Sequence, residues 1–475
     1  MGNETSTSIS AQDFILILQH EKCIASHQVW KQLSLNDLYD FTIEQTSIGD
    51  LIEIRDNIPT NFICLAAASS IGFSHVSIQF IEDYSKILAV QRFLWFIRLL
   101  LTVPDTALTK NLWFQTAFLF DQSFVPAEVL LNSCNNILFI ENSKNIDDIE
   151  LVKLDVIETL QFFMNASYIT IYQFYNPNLY LTSFEYFSPQ ECIRKSLING
   201  DQPRIFNSFL KLISPCIYGL QSWKNVMIKV PVETLETFFI QNINDSNDGI
   251  IPFLFTVLNC HEKYLERVKT PKVCRQMLTK LLMFSHSMSK SLNIGSIFIL
   301  LNYIIFKLID FTDITSKCNE LHANTLAELI IECLTDPLVY NFSNSKFLFP
   351  ITFELVIYIL HNIPKLTDFV CLRLLILFNL FNESSISQDE DAKEYYLKYV
   401  SMLLELNSKH ENMKSFCLSN ENLQNCFQTH SMIIQIDTKS LSKIDDYINS
   451  NIEKVFVFIA KDSFPIDFSQ FKIYY

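Results

Sequence analysis

The sequence predicts an all-α protein, an armadillo- or HEAT-like α-solenoid built from irregular helical repeats. Two features of the composition favour this fold: 7 of the 475 residues are Gly, and 49% are hydrophobic. An average chain of this length would contain about 33 glycines. Because Gly supplies the positive φ of tight hairpins and the close backbone approach of phosphate loops, hairpin-rich β folds and nucleotide-binding folds are disfavoured.

Helical periodicity is the third observation. Behind Asp148, apolar residues recur at i, i+3, i+4 and i+7 over 149–164, as expected of a helix with one buried face. Thr325-Leu-Ala-Glu328 has the pattern of a capping box, in which a hydroxyl and a carboxylate satisfy backbone N–H groups at a helix start. The successive helices show no fixed repeat period, so the predicted repeats are irregular.

Residues 1–10 are predicted to form a flexible polar tail. Its start, Met1-Gly2-Asn3-Glu4-Thr5-Ser6, fits the N-myristoylation pattern M-G-x-x-x-[ST]. We therefore predict a covalent myristate on Gly2 and no other cofactor. The competing interpretation is an unmodified, disordered tail in which Gly2 follows Met1 by chance.

A single myristoyl chain binds membranes with only marginal affinity, about 10⁴ M⁻¹, so stable attachment needs a second signal. No polybasic stretch follows the tail. Acylation of Cys23 is one alternative, although Cys23 lies in a helical apolar pattern that is typical of a core. A protein partner on the membrane is the simpler second signal.

Residues 11–381 are predicted to form the main α-solenoid, with breaks at 199–203 and 241–249. The acidic, serine-bearing segment 382–394 (NESSISQDEDAKE) is predicted to be a mobile loop. Residues 395–475 are predicted to contain further helices. Within them, 454–460 and 468–475 have the alternation and aromatic content of strands, which would pair as a small terminal hairpin.

Three runs are apolar enough to raise the question of a membrane span: 87–103, 294–311 and 369–381. The last is shorter than the roughly 20 residues that a bilayer core requires. The first two contain Arg or Lys near their middle, and each such residue would oppose insertion by about 2.5–3.5 kcal/mol. Helices buried inside a solenoid are the favoured interpretation, with a span over 294–311 as the alternative.

No catalytic motif is present in the sequence, and the nine histidines are dispersed without metal-ligand spacing. The sequence therefore predicts a protein that is not an enzyme and binds no metal. The formal net charge of −15 opposes binding to nucleic acid or to an anionic lipid surface. Twelve scattered cysteines without a CxxC pair indicate reduced, mostly buried thiols in a cytoplasmic protein.

Several segments resemble the Hid family (high-temperature-induced dauer formation proteins), which are relatives of dymeclin. The likeness begins with Met1-Gly2 and Ser6 and continues with Trp30-Lys-Gln-Leu. Its best segment is Asp50–Leu65 (DLIEIRDNIPTNFICL), and weaker likeness follows at His261–Leu265 and at the C-terminus, where Val455–Ile459 precedes a final FKIYY. The long polar insert typical of the family is reduced here to 382–394.

The resemblance implies a non-enzymatic, myristoylated peripheral protein on the cytosolic face of the Golgi, which acts in vesicle trafficking or in recruiting other proteins to Golgi membranes. Within its best segment, Asp50, Arg55, Pro59 and Asn61 are the candidate partner-binding residues. The structural alternative is that Arg55 forms an ordinary ion pair with Asp50 or Asp56, while Pro59 and Asn61 cap the next helix.

Two other function classes remain open at this point. One is a soluble armadillo-like transport or assembly factor that binds basic cargo, since acidic solenoids suit such ligands. The other is an integral membrane protein that uses 294–311.

Overall fold

The computed structural model describes the chain in a series of ranges separated by short gaps: residues 10–23, 28–29, 48–83, 86–102, 126–140, 146–170, 188–197, 203–244, 247–289, 295–318, 320–321, 323–339, 345–363, 365–429, 445–452, 455–456 and 459. Twenty α-helices and one 3-10 helix lie within this part of the chain, and it contains no strand, only the isolated bridge Lys317–Thr325. The predicted all-α class is confirmed.

The helices in chain order are α1 Ala11–His20, α2 Ile48–Asn57, α3 Pro59–Asp83, α4 Ile87–Thr102, α5 Pro126–Leu138, α6 Ile146–Thr170, α7 Pro189–Ser196, α8 Pro203–Gly219, α9 Gln221–Met227 and α10 Val232–Asn242. They continue with α11 Ile250–Cys260, α12 Glu262–Val268, α13 Pro271–Met288, α14 Ile297–Ile309, α15 Leu326–Val339, α16 Ser345–Asn362, α17 Asp368–Glu383, the 3-10 helix Ser385–Gln388, α18 Glu390–Lys409, α19 Glu411–Leu418 and α20 Glu421–Thr429.

The chain divides into two compact units, the first running up to Val226 and the second from Met227 to Ser463. The sequence predicted a single solenoid over 11–381 and gave no sign of a boundary between Val226 and Met227. In the first unit, α3 packs against α4 and α5, while α6 packs against α4, α5 and α8. Helix α2 contacts both α1 and α3, which places the N-terminal helix at this unit.

The helices of the second unit stack in two rows. One row runs α13, α15, α17, α19, and the other runs α11, α14, α16, α18, each helix contacting the next in its row. Consecutive helices such as α13 and α14, or α15 and α16, connect the rows. This is the two-layer packing of a helical-repeat solenoid.

Helix α14 shows how deeply the rows are packed. Twelve of its thirteen residues are buried, and the remaining residue, Lys307, is partly exposed. A helix that is apolar on every side is stable in water only when neighbours cover it all round. At 1.5 Å per residue it is about 20 Å long, which is shorter than the roughly 30 Å of a bilayer core.

A different helix has the length and apolar composition to cross a membrane. Among the described residues it is α3, over Pro59–Glu82, with 71% of its most apolar window buried inside the protein. Core helices of soluble proteins pass the same test, so this finding is weak evidence for a span.

The capping box at the start of α15 forms, with a shift of one residue. Thr325 Oγ1 accepts a hydrogen bond from the Glu328 N–H at 3.3 Å, as predicted. Glu328 Oε2 accepts from the N–H of Asn324 at 2.7 Å, one residue further back than the standard box. The other Glu328 oxygen accepts from Thr367 Oγ1 at 2.8 Å, so the cap also connects α15 to the start of α17.

Two predicted local structures are wrong. The expected strand at 454–460 is helical at 455, 456 and 459, in line with the helical residues 445–452. Ile448, Ile452, Val455, Phe456 and Ile459 are buried with helical spacing, so the apolar content belongs to one helix face. The second predicted strand, 468–475, lies outside the described residues.

The predicted loop at 382–394 is mostly helical. Helix α17 runs to Glu383, the 3-10 helix Ser385–Gln388 follows, and α18 begins at Glu390. Asp389 caps α18, since its carboxylate accepts a hydrogen bond from the N–H of Ala392 at 3.1 Å. Of the acidic residues interpreted as a loop signal, Asp389, Glu390 and Asp391 lie at the N-terminal end of α18, where carboxylates complement the helix dipole, whereas Glu383 is the last residue of α17.

Candidate functional site

The best of the segments that resemble the Hid family, 50–65, forms most of α2 and the start of α3, and α1 packs against α2. Helix α1 begins at Ala11, and Ser10 caps it by accepting a hydrogen bond from the Asp13 N–H at 3.2 Å. The predicted lipid-bearing tail therefore joins the fold at the first residue of this module. Gly2 itself lies outside the described residues.

Asn61 fixes α1 in place. Its Oδ1 accepts a hydrogen bond from the Cys23 N–H at 2.7 Å, and its Nδ2 donates to the carbonyls of Leu18 at 2.7 Å and Glu21 at 2.6 Å. The side chain is fully buried. One amide thus satisfies three backbone groups at the C-terminal end of α1, where a helix leaves carbonyls without intrahelical partners. Asn61 therefore caps the C-terminal end of α1. It does not cap the start of α3, which was the structural alternative considered from sequence.

Arg55 is buried, with 4% of its surface exposed. Its Nε and Nη2 donate to Asp56 Oδ1 at 2.9 and 2.7 Å, which is the ion pair considered from sequence. Its Nη1 has no hydrogen-bond partner among the described residues. Pro59 is half-buried as the first residue of α3, and Asp50 is half-buried in the first turn of α2.

These positions divide the four candidate residues. Arg55 and Asn61 face the interior and organise the module, whereas Asp50 and Pro59 retain exposed atoms that a partner could contact. On α1, Leu16 is 52% exposed and adds an apolar side chain to the outer surface of the same module.

Cys23 belongs to the core of this module. Its side chain is fully buried, and its thiol pKa is raised above 9.0 by burial and, secondarily, by the nearby Glu21 carboxylate. An acyl acceptor must be accessible, and the Cys23 side chain is buried in this fold.

The three apolar runs each contain a cation that is paired inside the protein. Arg98 on α4 binds Glu158 and Asp155 on α6, the latter at 3.3 Å. Lys307 on α14 binds Asp445, with Nζ 2.6 Å from Oδ1. The cation of 369–381, Arg373 on α17, binds two carboxylates of α15. Each of these three cations therefore pairs with a carboxylate on another helical segment of the protein.

The Arg373 cluster is the densest of these. Arg373 Nη1 lies 2.6 Å from Asp336 Oδ1 and Nη2 lies 3.2 Å from Glu332 Oε1. The second Asp336 oxygen lies 3.0 Å from His286 Nδ1 on α13, so three helices of one row share a polar network. Sequence reasoning missed it. The signal was present in Glu328, Glu332 and Asp336, which are spaced i, i+4, i+8 on an otherwise apolar helix.

His261, which follows Cys260, has a structural role. Its Nδ1 accepts a hydrogen bond from the Tyr264 N–H at 3.1 Å, and its Nε2 lies 3.0 Å from the Val230 carbonyl. The first bond requires an unprotonated Nδ1, so the hydrogen is assigned to Nε2, which then donates to Val230. Nδ1 therefore caps the start of α12, and Nε2 connects it to the backbone just before α10.

All twelve cysteines lie in the described part of the chain, and none forms a disulfide. Ten are buried, while Cys260 and Cys426 are partly exposed. Burial raises the thiol pKa of Cys192 and of Cys274 to about 12. No group of three or more His, Cys, Asp or Glu side chains suited to a metal ion occurs among the described residues.

Comparison with protein-family models, with curated proteins and with solved structures returns no match for this chain. The resemblance to the Hid family therefore remains a prediction that rests on the residues quoted above.

Proposed function

We propose that this protein is a non-enzymatic adaptor or scaffold that acts at the cytosolic face of Golgi membranes, in vesicle trafficking or in recruiting other proteins. The observation that supports the scaffold role is the two-row stacking of α11 to α19. Stacked helical repeats present long, continuous surfaces on which proteins bind. The Golgi location is supported by the Hid resemblance and the N-terminal acylation pattern alone.

In this proposal Gly2 carries a myristate that gives weak, reversible membrane attachment. The tail enters the folded protein at Ser10, and α1 is held to α3 by the three hydrogen bonds of Asn61. The second signal is a Golgi protein partner, and the exposed or half-exposed side chains of α1, α2 and α3 that it would contact are Leu16, Asp50 and Pro59.

The test compares Gly2→Ala with the matched control Asn3→Ala, which changes a neighbouring residue but keeps the acylation pattern. Incorporation of an alkyne analogue of myristate, intact N-terminal mass and membrane flotation are measured together. We expect G2A to lose the label and most of the membrane-bound fraction, while N3A behaves like the wild type. If G2A keeps its membrane-bound fraction and Golgi location, the lipid part of the proposal is wrong.

Two outcomes would favour the other function classes. Retention of the protein in the pellet after alkaline carbonate extraction would indicate a membrane span, for which 294–311 was the sequence candidate. An unmodified N-terminus together with binding to basic peptides would indicate a soluble transport or assembly factor.

A further inference from the structure

The C-terminal helical residues lie on one face of the row α11, α14, α16, α18. Asp445 accepts a hydrogen bond from Tyr303 Oη at 2.7 Å and pairs with Lys307 Nζ, both on α14. Phe456 packs its ring edge-on against Phe255 of α11, with ring centroids 6.0 Å apart. These contacts place the two ends of the segment on neighbouring helices of the row.

A third helix completes the contact surface. Tyr447 packs edge-on against Tyr395 of α18 at 5.9 Å. Lys398, one turn further along α18, lies over the Tyr395 ring at 4.8 Å and pairs with Glu354 of α16 at 3.3 Å. The segment therefore contacts three helices of the row, through Phe255, Tyr303, Lys307 and Tyr395.

The segment has the pattern of an amphipathic helix bound in a groove. Counted from Asp445, its buried apolar residues are at i+3, i+7, i+10, i+11 and i+14, namely Ile448, Ile452, Val455, Phe456 and Ile459. Asp446, Asn449 and Ser450 are exposed. Helix-in-groove recognition uses the same spacing of apolar anchors along one helix face.

The remaining sides of α14 are covered by its own stack. Helices α11 and α16 flank it in its row, and α13 packs on it from the other row. The C-terminal segment adds a further contact to α14, through Asp445, and extended surfaces of stacked repeats are where such proteins bind their ligands.

We propose that this face is a helix-binding groove, and that the described residues between 445 and 459 occupy it as an exchangeable intramolecular ligand. The partner it fits is an amphipathic helix with a carboxylate in its first turn, followed by aliphatic or aromatic residues at the same spacing. The carboxylate bridges Lys307 and Tyr303, and it also complements the N-terminal end of the incoming helix dipole.

The polar anchor makes exchange feasible. The Lys307 and Asp445 side chains are 37% and 33% exposed, so water and salt reach this pair. A tethered helix acts at an effective concentration of about a millimolar. A partner helix must therefore bind tightly, or be tethered nearby itself, to replace the segment. This groove lies in the second unit, and the proposal does not depend on lipidation of Gly2.

The test uses the full-length chain without a lipid. A negative result therefore counts against the helix-binding groove alone and leaves the proposal of membrane attachment through Gly2 untouched. The Asp445→Lys variant breaks the ion pair between Lys307 and Asp445. A double variant, Lys307→Glu with Asp445→Lys, restores this ion pair with the charges exchanged. The matched control is Asp446→Lys, which changes an exposed neighbouring residue. Hydrogen exchange of 445–459 is measured on the wild type and on each variant. Binding of a labelled peptide of the same sequence is measured on all but the double variant, whose introduced glutamate would repel the peptide's own aspartate.

We expect D445K to speed exchange in 445–459 at least about tenfold relative to α14 and to bind the added peptide at least about tenfold more tightly than the wild type. D446K should match the wild type in both measurements, and the double variant should return to slow exchange. Absence of peptide binding to D445K, or an equal rise in exchange throughout α14, would show that the segment is a fixed part of the core and overturn the proposal.

Discussion

The guanidinium of Arg373 lies 2.6 Å from the carboxylate of Asp336, and this contact joins α17 to α15. The same guanidinium also reaches Glu332, whose side chain is 1% exposed. A buried carboxylate of this kind depends on its cation, because desolvation otherwise leaves its charge uncompensated. The pair therefore holds successive helices of one solenoid row together.

Replacing Arg373 with Ala should lower the free energy of unfolding by about 3–5 kcal/mol, because Glu332 would remain buried without its cation. Arg194→Ala is the control, since Arg194 forms an exposed pair with Glu191 within one helix. That change should cost no more than about 0.5 kcal/mol. Denaturant unfolding gives the change in the free energy of unfolding for each variant. If R373A loses as little stability as R194A, the buried pair contributes little.

Replacing Asn61 with Ala should loosen α1. Three buried hydrogen bonds are lost, which corresponds to about 2–4 kcal/mol at roughly 1 kcal/mol each. Amide exchange over residues 10–23 should rise more than exchange in α4. Asn57→Ala is the control, because Asn57 is exposed and makes a single long bond of 3.4 Å to the Gln19 carbonyl. Unchanged exchange in N61A would contradict the assigned capping role.

Glu158→Gln should flatten part of the pH dependence of stability. The Glu158 pKa is raised above 4.5 because burial outweighs the attraction of Arg98. The native state therefore binds more protons than the unfolded state just above pH 4.5, and the contribution of Glu158 to stability falls as pH rises through this window. Gln does not titrate, so the stability of E158Q relative to wild type should increase from about pH 4.5 to pH 7. A difference that is constant or falls with pH would contradict the raised pKa.

Thiol reactivity should follow burial. In the native protein at most two of the twelve cysteines, Cys260 and Cys426, should react within minutes with a disulfide reagent at neutral pH, whereas all twelve should react in guanidinium. Burial keeps the other ten thiols away from the reagent, and at Cys192 and Cys274 it also raises the thiol pKa. Rapid labelling of Cys192 or Cys274, identified by mass spectrometry, would show that these helices open readily.

Much of the fold was predictable from residue patterns. The apolar spacing over 149–164 predicts a helix, and Ile149, Val152, Val156 and Leu160 are buried as expected. The helix starts at Ile146 and not behind Asp148, because several starting residues satisfy the same periodicity. The strand predicted at 454–460 failed because a short apolar run fits either period, and the packing of 445–452 against α14 selects the helix.

The candidate site was predicted less completely. The sequence singled out Asp50, Arg55, Pro59 and Asn61 together, but it did not show which of them face inward. Asn61 binds the end of a helix that lies about 40 positions earlier in the chain, and such a contact leaves no local pattern. The pairing of Arg373 with Glu332 and Asp336 is equally non-local.

The sequence by itself determined the helical class, the burial of its apolar runs and a candidate lipid acceptor at Gly2, because composition and periodicity act over a few turns of one helix. Tertiary structure decided which carboxylates pair with Arg98, Lys307 and Arg373, and which helices the described residues from 445 onward contact. Those outcomes depend on which helices become neighbours, and that is set by packing across the whole unit. The charges at Arg98 and Lys307 opposed membrane insertion in the sequence, and in the fold they, like Arg373, pair with carboxylates of neighbouring helical segments.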